Sequence, residues 1–385
     1  MAKQKIKNLE RAAERIKKAV LNKERIILYG DSDLDGISSV VILEEAIKSL
    51  GGTVECAYFP DRENNGYGMN LGALELLKPK APALFITLDL GIGNIKEVDV
   101  ANKMGFDVII IDHHETLFGT PNALVIVDPK QKDDPYPFKG LANVGITFRL
   151  CEELLGKDIS KKLRDSFLEL AALGTIADMV PQVDENQEII EEGLRSLKNT
   201  FRPALRAFLD IFGQGNVFSG MLQKIISALN AAESNDYQNS SYFLLKESSP
   251  KKCKEMAEVL IDKYMYKQQR IKDIAMEVER RVGQKDEEYL IFEGDPAWRL
   301  TLAGSVASII SQQYGKPAFI FKRGDQESCG SVRNPKGTNS VEAMKSCAEL
   351  LITYGGHAQA SGFRLKNDNL EKFKQCLSDY FKQES

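Results

Sequence analysis

Between residues 25 and 127, short and almost wholly apolar runs alternate with stretches of helical periodicity. Residues 25–29, 53–59, 84–88, 106–111 and 123–127 read as strands; 37–50, 71–77 and 95–104 read as helices. A strand that is apolar on both faces leaves no face for water. Such strands belong in a parallel sheet with helices on each side. In these sheets ligands bind beyond the carboxyl ends of the strands. The strand-to-helix junctions are therefore where chemistry is expected.

After Gly140 the chain turns mostly helical, with helices expected over 146–155, 161–176, 187–198 and 203–212. Residues 250–283 are charged and carry no internal Gly or Pro, which reads as one long helix joining two domains. Alternation then resumes: strands over 289–292, 318–321, 329–333 and 362–365, helices over 303–313, 341–351 and 370–381. The expected fold class is α/β, a parallel-sheet domain plus a smaller α/β domain. The expected division is 1–24 (an amphipathic helix with Ile6, Leu9, Ala13, Ile16 and Val20 on one face), 25–249, a linker 250–284, and 285–385.

Hydrophobic residues make up 43% and charged residues 28%, ordinary for a globular protein. No apolar run approaches the roughly 20 residues that span a bilayer, and the basic N-terminus lacks the apolar core of a signal peptide. A cytoplasmic protein without membrane contact is expected. The six cysteines are scattered, without a Cys-x-x-Cys pair, so neither a structural zinc nor a disulfide framework is expected. A net charge of −4 does not exclude a nucleic-acid partner, because phosphate contacts need only a local basic patch.

Four junctions carry candidate metal ligands. Gly30-Asp31-Ser32-Asp33-Leu34-Asp35-Gly36 sets three alternate aspartates at one strand end. One aspartate there is ordinarily a helix cap. Three repel one another unless a cation sits among them, and hard divalent ions take carboxylate oxygens. Asp89 follows the run 84–88, and Asp112-His113-His114 follows 106–111. Asp178 ends an apolar helix, where a carboxylate is unfavourable without a compensating cation.

Taken in order, Asp-x-Asp-Gly, Asp-Leu-Gly, Asp-His-His and Ala-Asp resemble the DHH phosphoesterase superfamily. Gly355-Gly356-His357-Ala358-Gln359-Ala360-Ser361-Gly362 resembles the signature of its second domain, DHHA1. Phe59-Pro60-Asp61-Arg62, Gly66-Tyr67-Gly68, Asp184-Glu185-Asn186, Asn230-Ala231-Ala232 and Gly330-Ser331-Val332-Arg333 are similar to the RecJ-type single-strand exonucleases. The resemblance runs from about residue 25 to 366.

This resemblance implies two Mn²⁺ or Mg²⁺ ions. Asp35, Asp89, His113 and Asp178 would surround one; Asp33 and a bridging Asp89, assisted by Asp31, would hold the other. His114 would contact the scissile phosphate and Asp112 would orient a histidine. Arg62, Ser331 and Arg333 would bind phosphate, and Gly355, Gly356 and His357 would form a glycine-rich turn against the nucleic-acid backbone. Tyr29 stands where many relatives have His, and Glu233-Ser234 where the family has Gly-Arg. The resemblance does not extend to the C-terminal OB domain of bacterial RecJ. The expected activity is single-stranded DNA hydrolysis from one end, the 5′ end favoured, with release of mononucleotides in DNA repair, recombination or replication. RNA is the second candidate substrate and the replication factor GINS a candidate partner. The alternatives are an oligoribonuclease or phosphoadenosine phosphatase of the same superfamily, toward which Ser361 leans, and a non-catalytic single-strand-binding subunit.

Overall fold

The structure, a computed structural model, describes residues 5–63, 66–116, 119–213, 218–284 and 289–384. The expected domain starts at residues 1 and 285 fall outside them. The chain forms two compact units, Met1–Tyr264 and Met265–Ser385.

The first unit is built on five parallel strands, β1 (Ile26–Gly30), β2 (Cys56–Tyr58), β3 (Ala83–Leu88), β4 (Phe106–Ile111) and β5 (Val125–Val127), in the order β2-β1-β3-β4-β5. All four pairings are parallel, as continuous apolar runs require. Side chains alternate between two cores. Ile26, Leu28, Leu84, Ile86, Ile109 and Ile111 point to one; Ile27, Tyr29, Phe85, Val108 and Ile110 point to the other.

The first core is closed by α1 (Leu9–Leu21), α2 (Leu34–Ser49) and, further along, α5 (Asn143–Leu155) and α6 (Lys161–Ala177). The second is closed by α3 (Leu71–Leu77) and α4 (Ile95–Lys103). The N-terminal helix is no separate appendage, because Leu9, Ala12, Ala13, Ile16 and Ala19 are buried in the first core.

Helices α7 (Asp184–Leu197) and α8 (Pro203–Phe212) match the periodicity. Two further helices, α9 (Phe218–Leu229) and α10 (Ser240–Lys246), were not expected from sequence, nor was the two-stranded ribbon between them, β6 (Ser234–Asn235) and β7 (Gln238–Asn239). The long helix α11 (Pro250–Val282) forms as expected. Its N-terminal half buries Cys253, Ala257 and Leu260 in the first unit, and its C-terminal half buries Ile271, Ile274 and Val278 in the second.

The second unit has β8 (Ile291–Asp295), α12 (Leu300–Tyr314), β9 (Ala318–Arg323), β10 (Glu327–Arg333), α13 (Ser340–Ser346), β11 (Leu351–His357), β12 (Ala360–Lys366) and α14 (Leu370–Glu384). Its sheet runs β11-β12-β10-β9-β8, with only the β8–β9 pair parallel. Two expectations fail here. The helix expected over 341–351 stops at Ser346, and residues 351–357 form a strand. Cys347 and Cys376, distant in sequence, are joined by a disulfide where α13 ends against α14. Sequence spacing could not show that pair, since it is the packing of two helices that brings the cysteines together.

Candidate metal centre

Three strands of the first sheet end side by side, and each delivers acids just past its last residue. The Asp31 N–H donates to Leu88 O (3.0 Å), the Asp89 N–H to Ile111 O (3.0 Å) and the Asp112 N–H to Val127 O (3.1 Å). The ladder is thus carried one residue beyond each strand and fixes where the three side chains start. Asp33 caps α2, its Oδ1 accepting from the Gly36 N–H at 3.1 Å. Gly36 cannot carry a side chain, because a Cβ there would lie 2.5 Å from the Asp31 carbonyl oxygen. Asp35 is 1% exposed and accepts the Asn143 and Val144 N–H groups (2.9 and 2.6 Å) at the N-terminus of α5. Asp178 is the C-terminal cap of α6.

These side chains converge in two sets. Atoms of Asp35, His113 and Asp178 lie within 4.8 Å of one another, as do atoms of Asp31, Asp33 and Asp89; Asp89 also meets His113 and His114 within that distance. His113 Nε2 lies 3.2 Å from Asp89 Oδ1 and 3.6 Å from Asp178 Oδ2. All three atoms are buried and none has a hydrogen-bond partner. His113 Nδ1 lies 3.2 Å from Leu141 O, which accepts its proton and leaves the Nε2 lone pair facing two carboxylates. Burial and then the charge on His114 push His113 down to about 3, so the ring stays neutral. Burial followed by neighbouring carboxylates pushes Asp35 and Asp89 well above the usual carboxylate range and Asp178 up to about 7. A lone pair and carboxyl groups aimed at one point, whose charges burial and mutual repulsion oppose, fit a hard cation with mixed N and O ligands.

His114 plays a different part. Its Nδ1 donates to Asp112 Oδ1 at 2.7 Å, and its side chain is half exposed. Burial opposes its charge, but the Asp112 carboxylate prevails and raises it to about 9. Asp112 is fully buried and also accepts from the N–H groups of Ile92 (2.9 Å) and His113 (2.8 Å). Asp112 therefore orients His114 and is not itself open to a ligand.

Arg62, expected to meet substrate, lies on the acids. Its Nε donates to Asp31 Oδ1 (2.9 Å), and its Nη2 to Asp31 Oδ2 (2.5 Å) and Asp33 Oδ2 (2.8 Å). Several supports escaped the sequence reading. The Leu141 carbonyl and the Asn143 and Val144 amides had no local signal at all. Asn230 stood in a noted motif without a role; its Oδ1 accepts the Leu34 N–H at 2.8 Å and braces the start of α2. Tyr29, in place of the family His, is buried in the second core, where its hydroxyl accepts from Asn70 Nδ2 at 3.2 Å. Ser234, in place of the family Arg, is buried and donates to Ser32 Oγ at 3.1 Å, beside the aspartate loop.

The remaining candidates belong to the second unit. Ser331 and Arg333 lie on β10, opposite Gly362 and Ala360 of β12. Arg333 lies across Gly304 of α12, where a Cβ would sit 3.0 Å from Nη2. Gly355, Gly356 and His357 are not the expected turn. They end β11, paired with Gly362, Ser361 and Ala360, and the turn is Ala358-Gln359. Gly356 has φ +124°, and a Cβ there would lie 2.6 Å from the Ala360 carbonyl oxygen. The side chain of His357 lies outside the described residues. Among the described residues no helix is long and apolar enough to cross a membrane.

Comparison with known proteins agrees with this geometry. The DHH family, N-terminal domain, matches residues 25–175, and the DHHA1 domain matches residues 286–383. The single-stranded-DNA-specific exonuclease RecJ of Bacillus subtilis (strain 168) is 33% identical over 381 residues, covering 97% of this chain and 48% of that protein. The crystal structure of an exonuclease RecJ bound to manganese is 27% identical, with a TM-score of 0.81 over 99% of this chain and 96% of that one. RecJ in complex with Mn²⁺ from Thermus thermophilus is 25% identical, with a TM-score of 0.84 over 99% of this chain and 56% of that one. The chain thus spans about half the length of the Bacillus and Thermus proteins. Residues 25–175 thus carry a DHH family N-terminal domain, and residues 286–383 a DHHA1 domain.

Proposed function

We propose that this protein is a divalent-metal-dependent exonuclease that hydrolyses single-stranded DNA and releases mononucleotides in DNA repair, recombination or replication. The observation that carries the reading is the convergence of Asp89 Oδ1, His113 Nε2 and Asp178 Oδ2, buried and without protein partners. Similarity to a single-stranded-DNA-specific exonuclease RecJ and to an exonuclease RecJ bound to manganese supports this choice of substrate and metal.

Asp35, Asp89, His113 and Asp178 would hold one Mn²⁺ or Mg²⁺, and Asp33, Asp89 and Asp31 a second. When bound, such ions supply Lewis-acid polarisation of a phosphodiester. The rest falls to the chain. His114, kept protonated by Asp112, presents its Nε2–H to a phosphate oxygen as a charged donor. Ser331 and Arg333 supply further phosphate contacts from the DHHA1 domain, with the Gly355–His357 strand end beside the nucleic-acid backbone. Digestion from the 5′ end is part of the proposal. The family arginine that would favour that end is replaced by Ser234, close to the aspartate loop, so polarity is its most exposed element.

Single strands labelled at the 5′ or the 3′ end, incubated with Mn²⁺, Mg²⁺ or EDTA, test the reading. Metal-dependent release of labelled mononucleotide from the 5′ end is expected. Absence of metal-dependent hydrolysis overturns the reading, and faster cleavage of an RNA dinucleotide favours the oligoribonuclease. Ser361, which leaned that way, is buried with its hydroxyl 2.5 Å from that of Ser340 and has a packing role. Association with GINS rests on the resemblance alone, and co-purification tests it. A cytoplasmic location belongs to the same proposal, and cell fractionation tests it.

A further inference from the structure

The two sets of candidate ligands differ in one respect. Around His113, Asp89 Oδ1, His113 Nε2 and Asp178 Oδ2 have no partner, and Asp35 accepts only the backbone N–H groups of Asn143 and Val144, so no side-chain cation sits on this set. In the Asp31, Asp33 and Asp89 set, the oxygens of Asp31 and Asp33 are already engaged. Asp31 Oδ1 takes the Ser32 N–H (2.6 Å) and Arg62 Nε (2.9 Å), and its Oδ2 takes Arg62 Nη2 (2.5 Å). Asp33 Oδ1 takes the Gly36 N–H (3.1 Å), and its Oδ2 shares Arg62 Nη2 (2.8 Å). The guanidinium is backed by the exposed ring of Tyr67, 4.6 Å from its centroid. Tyr67 lies between Gly66 (φ +75°) and Gly68 (φ +84°), in a backbone path that glycine favours.

From this contrast we propose that Arg62 is the resident cation of the second ligand set and an exchangeable gate upon it. A divalent ion there needs the lone pairs that Arg62 holds, so the ion and the guanidinium compete. A guanidinium released from Asp31 and Asp33 is a planar fork of donors suited to a phosphate. Phosphate bound by Arg62 leaves the carboxylates to the ion, and the ion leaves Arg62 to the phosphate. Each therefore favours the other, by the same factor in both directions. The His113 set loads without this exchange, so the two ions bind in order, the second together with the phosphate of the substrate. The inference rests on the metal reading above and adds a regulation of it.

Calorimetric titration of Mn²⁺ into the full chain tests it, with wild type, Arg62→Gln, Arg62→Lys and Tyr67→Leu, each with and without a 5′-phosphorylated, phosphorothioate-linked oligothymidylate. Two classes of site are expected in the wild type. Arg62→Gln should tighten the weaker class by about tenfold, leave the tighter class unmoved, and abolish the further tightening that the oligonucleotide gives the wild type. Arg62→Lys keeps the charge and loses the fork. It should show part of the same gain, whereas a purely long-range charge effect would leave it like the wild type. Tyr67→Leu leaves every acid untouched and should tighten the weaker class to a smaller degree, which keeps the test alive if a change at Arg62 prevents folding. Two classes that neither Arg62→Gln nor Tyr67→Leu alters would overturn the gate while leaving the metal reading intact. Absence of any Mn²⁺ binding would remove both.

Discussion

Asp89 is where the candidate centre is most sensitive, and substitution there separates fold from chemistry. It is 2% exposed and shares the space of Asp31 and Asp33, with ligand oxygens within 4.8 Å. Burial, followed by the neighbouring carboxylates of Asp35, Asp33 and Asp31, opposes its charge. Asp89→Asn removes that charge and one ligand together. Its backbone is left-handed (φ +65°), a conformation asparagine tolerates and alanine adopts at a cost of about 1–2 kcal/mol. Asparagine is thus the cleaner probe. Saturating Mn²⁺ at about 100 times its Kd stabilises a protein by about 2.7 kcal/mol. For a unit of this size that is a rise in melting temperature of about 5–10 °C. In scanning fluorimetry the wild type should show that rise, and Asp89→Asn should show almost none. In EDTA the variant should melt at or above the wild type. A variant that keeps the full Mn²⁺ shift, or melts well below the wild type in EDTA, would refute the reasoning.

Asp112→Asn leaves His114 without its carboxylate; turnover on single-stranded DNA should fall by about 10–100-fold, while calorimetric Mn²⁺ affinity stays close to wild type. Gly193 packs α7 against α6, where a Cβ would lie 2.2 Å from the Leu168 carbonyl oxygen. Gly193→Ala should cost about 1–3 kcal/mol in urea unfolding, and an unchanged midpoint would count against that contact. Glu44, 4% exposed, accepts from Tyr242 Oη (2.7 Å), Lys246 Nζ (2.8 Å) and Lys48 Nζ (2.8 Å). Burial opposes its charge, but Lys246, Lys48 and Tyr242 hold its carboxyl below the ordinary value of 4.5. Its stabilisation is therefore present above about pH 4.5 and is lost as pH falls through the lower folded value. Glu44→Gln should cost about 3 kcal/mol near neutral pH. In urea melts across pH its gap from the wild type should narrow below about pH 4.5, and a gap independent of pH would refute the assignment.

The parallel sheet was legible because apolar runs such as 84–88 and 106–111 have both faces covered, a property of local composition alone. The acids were legible because the ligand face of such a sheet is the carboxyl end of its strands, so Asp31, Asp33, Asp35, Asp89 and Asp112-His113-His114 stood at known junctions. Periodicity was a weaker guide in the second unit. Residues 351–357 continue from a helix without a Gly or Pro break, and only pairing with β12 makes them a strand. The division of labour within the centre was decided by contacts far apart along the chain. Asp35 is held by Asn143 and Val144, His113 by Leu141, and Asp31 by Arg62. Residue type and junction depend on neighbours within one strand and turn, so the sheet and the ligands at its edge follow from the order of residues alone. Orientation, proton position and competing partners depend on groups brought together only when helices pack on that sheet, so those were settled by the tertiary structure.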